Sequence, residues 1–296
     1  MLPLFVLCLV LFYTFQSLFT RLYNINYAPA DKSMTTSVFA ICFGGFIGLS
    51  TLIANGFSFT PAWQTVLWGV ANAFMLWLYN VSMIKAGDRG SYAFMMVTAV
   101  VGAIVVPLVV DALFMGETVT ALQGAAIALM LCSFVVMNAR GMSLETLRGA
   151  SGGYYMWCGL LFMANGLYAT IMNVQQGTMG SEQSPEMIVI TYLGMALIVI
   201  AIECFRGGAK KLAAGFAMGK KSALFVLGCV IVATLASNLL LYTLSLMNAS
   251  ILYTIENGGV LVLSAIFSCI FFREKLHWEQ MVGIGMAVAS IVMISL

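Results

Sequence analysis

Ten apolar runs follow one another along the 296-residue chain, separated by short polar segments. A helix needs about 20 apolar residues to cross a bilayer, and the hydrocarbon core forces the backbone to pair within itself. The runs therefore predict an all-α integral membrane protein with ten transmembrane helices. The predicted spans are residues 2–20, 34–55, 62–84, 91–115, 119–138, 154–175, 187–205, 222–247, 250–272 and 278–295.

The polar content excludes a protein that folds in water. Charged residues make up 8% of the chain and hydrophobic residues 62%, whereas soluble domains carry about 25% charged residues. The 13 Lys and Arg are nearly balanced by 11 Asp and Glu. That balance provides no basic field, so nucleic acid is not expected as a partner.

A gapless internal resemblance links residues 102–117 with residues 259–274, at an offset of 259 − 102 = 157 positions. Each match alone is weak in so apolar a chain, but together they indicate an internal duplication. The matched pairs are Gly102 with Gly259, Val105 with Val262, Phe114 with Phe271, Glu117 with Glu274, Gln123 with Gln280, Ile127 with Ile284, and Ser133 with Ser290.

The duplication divides the chain into residues 1–138 (a first five-helix repeat), 139–153 (a linker) and 154–296 (a second five-helix repeat). Because five is odd, the second copy enters the membrane from the opposite side. Inverted repeats of this kind are common in secondary transporters, whose binding site lies near the bilayer midplane. The predicted architecture is two inverted repeats around a central cavity.

The distribution of positive charge predicts the orientation. All 13 Lys and Arg lie in or beside the loops that follow odd-numbered spans, and none lies on the opposite face. Positive charge stays on the cytoplasmic side, so both termini are predicted to be non-cytoplasmic. The basic stretch 203–221 is predicted to lie along the anionic inner leaflet.

The sequence contains no catalytic signature. It has no GxxxxGK[ST] loop, no HExxH motif, and a single histidine, His277, in a basic turn. We therefore predict no catalytic residue, no metal ligand and no cofactor, and we do not expect an enzyme.

Glu256 is the most informative side chain for function, because an acid within a span usually faces a cavity or a partner and marks a transport pathway. No Lys or Arg lies in the apolar part of any predicted span. Glu256 is thus predicted to bind a proton or a cationic substrate group. The alternative is a neutral, structural Glu256 that is hydrogen-bonded to a neighbouring helix.

Asp111 is the second acid within a span. It lies six residues before Glu117, about one and a half helical turns. Its position on the repeat mate of the helix that carries Glu256 suggests a role in binding. The alternative is that Asp111 simply reaches the outer interface.

Amides, phenols and indoles within the spans complete the candidate site. Amides in lipid need partners and should point inward, although interhelical hydrogen bonds explain most of them. Around Glu256 and Asp111, the predicted binding residues are Asn257, Tyr253, Asn72, Asn238, Gln16, Asn165, Tyr79 and Trp77. Asn80, Asn173 and Tyr242 belong to the same polar set.

The motif Phe114-Met115-Gly116-Glu117, with Pro107 before it and Gln123 after it, resembles the EamA-like branch of the drug/metabolite transporter superfamily. Residues 272–274 with Gln280 look like a second copy. The resemblance implies a ten-helix basket around a cavity, and secondary transport of metabolites or drugs, often as export, across a bacterial inner (plasma) membrane. It also implies that the Gly-Glu turn is structural. Members commonly have cytoplasmic termini, from which the charge pattern here departs.

These observations favour a secondary active transporter of a small metabolite or drug-like solute that works by alternating access. Its expected partners are that small molecule, the lipid bilayer and a proton or other coupling ion, in a monomer or weak homodimer. The alternative is a lipid flippase or another, non-transporting membrane protein of the same fold, such as a lipid-binding protein, and a laterally open groove would distinguish it. A membrane-embedded enzyme is disfavoured, because no nucleophile–base pair or metal constellation is visible.

Overall fold

The computed structural model describes residues 2–27, 34–116, 119–142, 151–272 and 276–295, and within these ranges every regular element is helical. Glu117 and Glu274 of the Gly-Glu turns lie outside the described residues, as does most of the predicted linker. The α-helices are α1 (Leu2–Asn26), α2 (Thr35–Ala54), α3 (Trp63–Gly87), α4 (Tyr92–Val110), α5 (Ala121–Met137), α6 (Gly152–Met179), α7 (Ser184–Gly215), α8 (Lys220–Leu244), α9 (Ala249–Phe272) and α10 (Trp278–Ser295).

The described helices match the predicted membrane class. Eight are long and apolar enough to cross a bilayer, and two apolar segments, Ala121–Met137 and Trp278–Ile294, are shorter. The prediction of an all-α integral membrane protein is confirmed. The count of ten spans stays a prediction, because these two helices fall below the length that a typical bilayer requires.

Two predicted boundaries are wrong. The first helix runs to Asn26 rather than residue 20, and α7 runs from Ser184 to Gly215 rather than from 187 to 205. The extension of α7 absorbs most of the basic stretch that was predicted to lie on the leaflet. Alanine, lysine and leucine there are strong helix formers. Tyr27 Oη donates a 2.9 Å hydrogen bond to the Gly215 carbonyl, which anchors the end of the helix.

The chain divides into two compact units, and the boundaries between them lie within helices α1, α3 and α6 and just after α8. The first unit comprises residues 1–10, 78–173 and 246–296, and the second comprises 11–77 and 174–245. These units are spatial clusters and differ from the two sequence repeats, which stay a prediction.

The first unit has a core between α5 and α10. Ile127, Met130 and Phe134 are buried there with Ala287 of α10. Ser290 Oγ donates a 2.6 Å hydrogen bond to the carbonyl of Ala126, so the two helices are joined by a polar contact as well as by packing.

The beginnings of α5 and α10 are capped in the same way by residues that the repeat had paired. Gln123 Oε1 accepts a 3.0 Å hydrogen bond from the Thr120 backbone N–H, and the Thr120 hydroxyl accepts one from the Gln123 N–H. Gln280 Oε1 accepts a 2.9 Å bond from the His277 N–H. Each glutamine thus satisfies a backbone donor that would have no partner at a helix start.

Gly102 allows α4 to cross α6 at close range. A Cβ atom at Gly102 would collide with the backbone carbonyl of Phe162. Its repeat mate Gly259 has a similar position, where a Cβ would lie 2.7 Å from Cγ1 of Val10 on α1. The glycine pair found in sequence therefore corresponds to two tight helix contacts of the kind that small residues permit in membranes.

Gly102→Ala is expected to destabilise the protein by about 1–3 kcal/mol, because the added methyl group must displace backbone rather than a flexible side chain. Gly124→Ala on α5 is the matched control, since a Cβ there meets nothing within 4 Å. That control should be neutral or stabilise by about 0.5–1 kcal/mol through helix propensity. Unfolding in mixed detergent micelles measures both, and equal stability of the two variants would contradict the proposed contact.

The second unit is built around α2 and α7. Gly44 and Gly48 of α2 allow close approach to Tyr192 and Leu193 of α7. Tyr192 Oη then lies 2.9 Å from Ser237 Oγ, which ties α7 to α8. Close packing at glycines and a buried hydroxyl pair thus hold three helices together.

Candidate functional site

A break in the helical hydrogen bonding positions Asp111. Pro107 lies inside α4, and the helix gives way at Asp111 to a π-helical turn, Asp111–Met115. The turn ends at Gly116, whose left-handed φ of 67° suits glycine. Proline removes a backbone donor and perturbs the helix around it, and π-turns are frequent at functional sites. Gly116 is thus a helix-ending residue, as the structural interpretation of the Gly-Glu turn expects.

Asp111 is the centre of a buried network in the first unit. Its side chain is 2% exposed. Oδ1 accepts a 2.8 Å hydrogen bond from Asn173 Nδ2, and Oδ2 accepts a 3.1 Å bond from Ser250 Oγ. The carboxylate therefore joins the end of α4 to α6 and to the first turn of α9. It is held within the protein rather than extended toward an interface.

One face of α6 carries the other contacts of this network. Asn165 Nδ2 donates to the Ala99 carbonyl of α4 at 2.8 Å, and the Ala169 carbonyl accepts from Tyr253 Oη of α9 at 3.1 Å. Asn165, Ala169 and Asn173 are spaced four residues apart, so they share a helix face. This face is bonded to α4 and α9 over two helical turns.

Glu256 lies one and a half turns beyond Ser250 on α9 and is half-buried. Its Oε2 accepts a 3.2 Å hydrogen bond from Asn257 Nδ2, which also donates to the Tyr253 carbonyl at 2.8 Å. In the described part of the chain, Glu256 has no other hydrogen-bond or ion-pair partner. Helix α9 contains no Lys or Arg. A carboxyl group with a single amide partner is free to take up a proton or a cation.

The remaining candidate of the first unit, Tyr79, is partly buried. It packs against a cluster that includes Met95, Tyr154 and Leu161. This position is that of a packing residue. Tyr79 also makes a further interaction within the described part of the chain.

Four predicted site residues lie in the second unit. Asn238 Nδ2 donates to Thr234 O at 2.9 Å and to Thr51 Oγ1 at 3.4 Å. Trp77 packs against the core cluster of α2 and α7 and lies 5.3 Å from the ring of Phe74. Asn72 is fully buried, and neither its Oδ1 nor its Nδ2 has a hydrogen-bond partner among the described residues. Gln16 Oε1 also has no hydrogen-bond partner among these residues.

Sequence reasoning found the acids but missed how Asp111 is held. Asn173 was recognised only as one of several amides in spans, and Ser250 only as a helix start. The π-turn was missed altogether. Pro107, four residues before an intramembrane acid, was the available signal, because proline in a helix usually marks a kink or bulge.

An apolar groove lies on the first unit beside the Glu256 helix. Its volume is about 520 Å³. Its lining consists of Met247 and of apolar residues from α1, α9 and α10. The lining residues include Val6, Val10, Ile255, Gly259, Val262 and Ile291. Glu256 is next to Ile255 in the chain but does not line the groove. The groove is suited to an alkyl chain rather than to a polar solute.

Metal binding has no support in the described residues, where no group of three or more His, Cys, Asp or Glu could hold an ion.

The helices and their buried acids define an integral multi-pass membrane protein. Residues 156–296 match the family model described as "EamA-like transporter family". This match, over residues 156–296, agrees with the EamA-like branch of the drug/metabolite transporter superfamily that the motifs had indicated. Members of this family are membrane transporters rather than enzymes.

Solved structures support the fold. Twenty-eight chains match, among them one entitled "Crystal structure of protein". That structure superposes with a TM-score of 0.74 over 99% of this chain and 97% of its own length, at 13% sequence identity. Identity this low shows the fold alone. No curated protein matches the chain.

Proposed function

We propose that this chain is a secondary active transporter of a small metabolite or drug-like solute, working by alternating access between sequence halves 1–138 and 154–296. The observation that carries the proposal is Glu256, a half-buried carboxyl group within an apolar helix whose one described polar partner is Asn257. An intramembrane acid without a cationic partner is costly and therefore rare, and such acids usually mark a substrate or ion pathway. Glu256 would bind a proton or a cationic group of the solute.

The Asp111 network would position the helix that carries Glu256. Ser250 and Tyr253 tie the first turns of α9 to the π-turn and to α6. Because Glu256 follows on the same helix, a change in these bonds would move its carboxyl group. Asp111 therefore acts in this proposal through the placement of α9, and Glu256 acts as the binding group.

The test is a thermal-shift screen of amino acids, organic cations and other metabolites on the detergent-purified chain, followed by uptake of each hit into vesicles that contain the protein. We expect at least one hit to be taken up faster than by protein-free vesicles. If every stabilising compound entered both kinds of vesicle at the same rate, the transport proposal would fail.

We further propose that the protein resides in a bacterial inner membrane with both termini non-cytoplasmic, on the basis of the positive charge on one set of loops. A C-terminal alkaline phosphatase fusion is expected to be active and a C-terminal fluorescent-protein fusion to be dark. Fusions to residue 142, just after α5 on the basic side, are the matched control and should give the reverse result. A bright fluorescent fusion and an inactive phosphatase at the C-terminus would contradict the orientation.

A lipid flippase is the second candidate, and the apolar groove of the first unit favours it. The test is movement of a headgroup-labelled phospholipid between leaflets of vesicles, with Val288→Phe to fill the groove and Val292→Phe, at an exposed position of the same helix outside the groove, as control. Protein-dependent lipid movement that Val288→Phe abolishes would favour the flippase. Movement at the protein-free rate would remove this candidate.

A further inference from the structure

Three segments of the second unit meet around Gln183 and Ser184, at the start of α7. The Ala62 N–H, just before α3, donates to Gln183 Oε1 at 2.8 Å. Gln175 Nε2, near the end of α6, donates to the Gln183 carbonyl at 3.5 Å, and Ser184 Oγ donates to Gln176 Oε1 at 2.8 Å. These bonds hold the beginnings of α3 and α7 and the end of α6 together.

Four polar side chains at this junction are buried but incompletely bonded. Thr65 and Gln175 are fully buried, and Gln176 and Glu186 are each 4% exposed. In the described part of the protein, Thr65 Oγ1, Gln175 Oε1, Gln176 Nε2 and Glu186 Oε2 have no hydrogen-bond partner. Buried polar atoms are nearly always paired, so each such atom calls for an ion, a water or a ligand. Four of them at one junction indicate a ligand.

The register between α3 and α7 places residue 65 level with residue 186. Gly69 lies against Ile190, and Ala73 lies against Gly194. In each pair the two residues are 121 positions apart in the chain. The same separation holds at Ala62 with Gln183. Four residues before Gly69 and Ile190, about one helical turn, the same parallel register pairs Thr65 with Glu186.

A purely structural role does not account for the junction. An acid in the first turn of a helix is favoured by the helix dipole. That explanation applies to Glu186, but it leaves the Thr65 and Gln175 oxygens unexplained. It also does not require burial, since Glu182, four residues earlier, is exposed.

We propose that Thr65, Gln175 and Glu186 bind a small monovalent cation. Their unpartnered atoms are a hydroxyl, an amide and a carboxylate oxygen, which are the ligands that hard cations prefer. A monovalent ion balances the single carboxylate charge, whereas a divalent ion would leave net charge in a buried site, which is costly. The Gln176 Nε2 group is a donor and is suited to the carboxylate rather than to the cation. These residues are distinct from Glu256, and the site would supply a coupling ion, a role that rests on the proposed transport function.

The test measures the melting temperature of the detergent-purified full chain in LiCl, NaCl, KCl and choline chloride at equal ionic strength. A bound cation at concentration c stabilises the folded state by RT ln(1 + c/Kd), so above Kd the melting temperature keeps rising with the logarithm of the concentration. We therefore expect at least one alkali ion to raise the melting temperature in this way, with the fitted Kd as the midpoint of the response, and choline to have no effect.

Glu186→Gln should move the midpoint of that response to at least about tenfold higher concentration, equivalent to the loss of one charge-assisted contact. In choline this variant should melt no lower than the parent protein, because it removes an uncompensated buried charge. Glu182→Gln makes the same change of charge on an exposed residue and should respond like the parent. Thr65→Val removes one neutral oxygen with little change of shape and should also raise the midpoint.

Equal melting temperatures in all four salts would overturn the proposal, as would Glu186→Gln or Thr65→Val with the parent's midpoint. An equal loss of response in Glu182→Gln would attribute the effect to general surface charge and also overturn it. No transport is measured, so a negative result removes the cation site and leaves the proposed transport function standing.

Discussion

Glu256→Gln is expected to lower solute uptake into vesicles by about 10- to 100-fold, the equivalent of losing one charge-assisted interaction. Glutamine has nearly the same shape and can still accept a hydrogen bond from Asn257, so the fold should be retained. What the variant loses is the ability to exchange a proton or to balance a cationic solute. Initial rates of uptake over a range of external pH, with a hit from the thermal-shift screen, measure the effect.

The control for Glu256→Gln is Glu182→Gln, which removes an acid from an exposed turn and should transport at the parent rate. The parent protein should show a pH-dependent rate, and the Glu256 variant should lose that dependence together with its rate. Unchanged turnover with an unchanged pH profile would remove Glu256 from the mechanism. It would leave the structural alternative, a neutral side chain bonded to its neighbour.

Asp111→Ala is expected to destabilise the protein by about 3 kcal/mol, because it removes two hydrogen bonds to a carboxylate and leaves the buried Asn173 amide without this acceptor. Asp111→Asn should cost less, since its amide oxygen can still accept from one of the two donors. Unfolding by titration of denaturing detergent into mixed micelles measures these differences.

Ser250→Ala and Asp111→Ala together form a double-mutant cycle for the second bond of the network. We expect a coupling energy of about 1–2 kcal/mol between them. Ser245→Ala is the matched control, because the Ser245 hydroxyl is exposed and bonds only locally to the Tyr242 carbonyl. Coupling near zero between Asp111 and Ser250 would contradict their hydrogen bond as a stabilising contact, and with it the placement of α9 through Asp111.

Helix positions were predictable wherever the local signals agreed. The bounds of α10 are those predicted, 278–295, because an apolar run begins directly after a polar segment and Gln280, in the first turn of the helix, caps its start. The equivalent roles of Gln123 and Gln280 follow from the repeat. Helix α7 was underestimated because hydropathy alone places a boundary at the basic residues after Phe205. There, helix propensity and the contacts of Leu212 and Gly215 continue the helix.

The candidate site was only partly predictable, because its contacts join distant parts of the chain. Asp111 and Glu256 stand out in sequence as acids within apolar spans. Asn173 and Ser250 are 62 and 139 residues from Asp111, and nothing local in the sequence pairs them with it. In the π-turn, Asp111 is followed by four apolar residues, and no change of periodicity reveals the turn. Glu186 does not stand out in the sequence, because its burial depends on the packing of distant segments.

The most direct test of the central claim is uptake by the purified chain in vesicles whose lumen contains a pH-sensitive dye. The compound added is one that stabilises the protein in the thermal-shift screen. The transporter proposal predicts saturable uptake that is lost in Glu256→Gln vesicles. A change of lumenal pH accompanies the uptake if Glu256 carries a proton, and none accompanies it if Glu256 binds a cationic group of the solute. Compounds that bind the protein but enter protein-containing and protein-free vesicles at the same rate would contradict it.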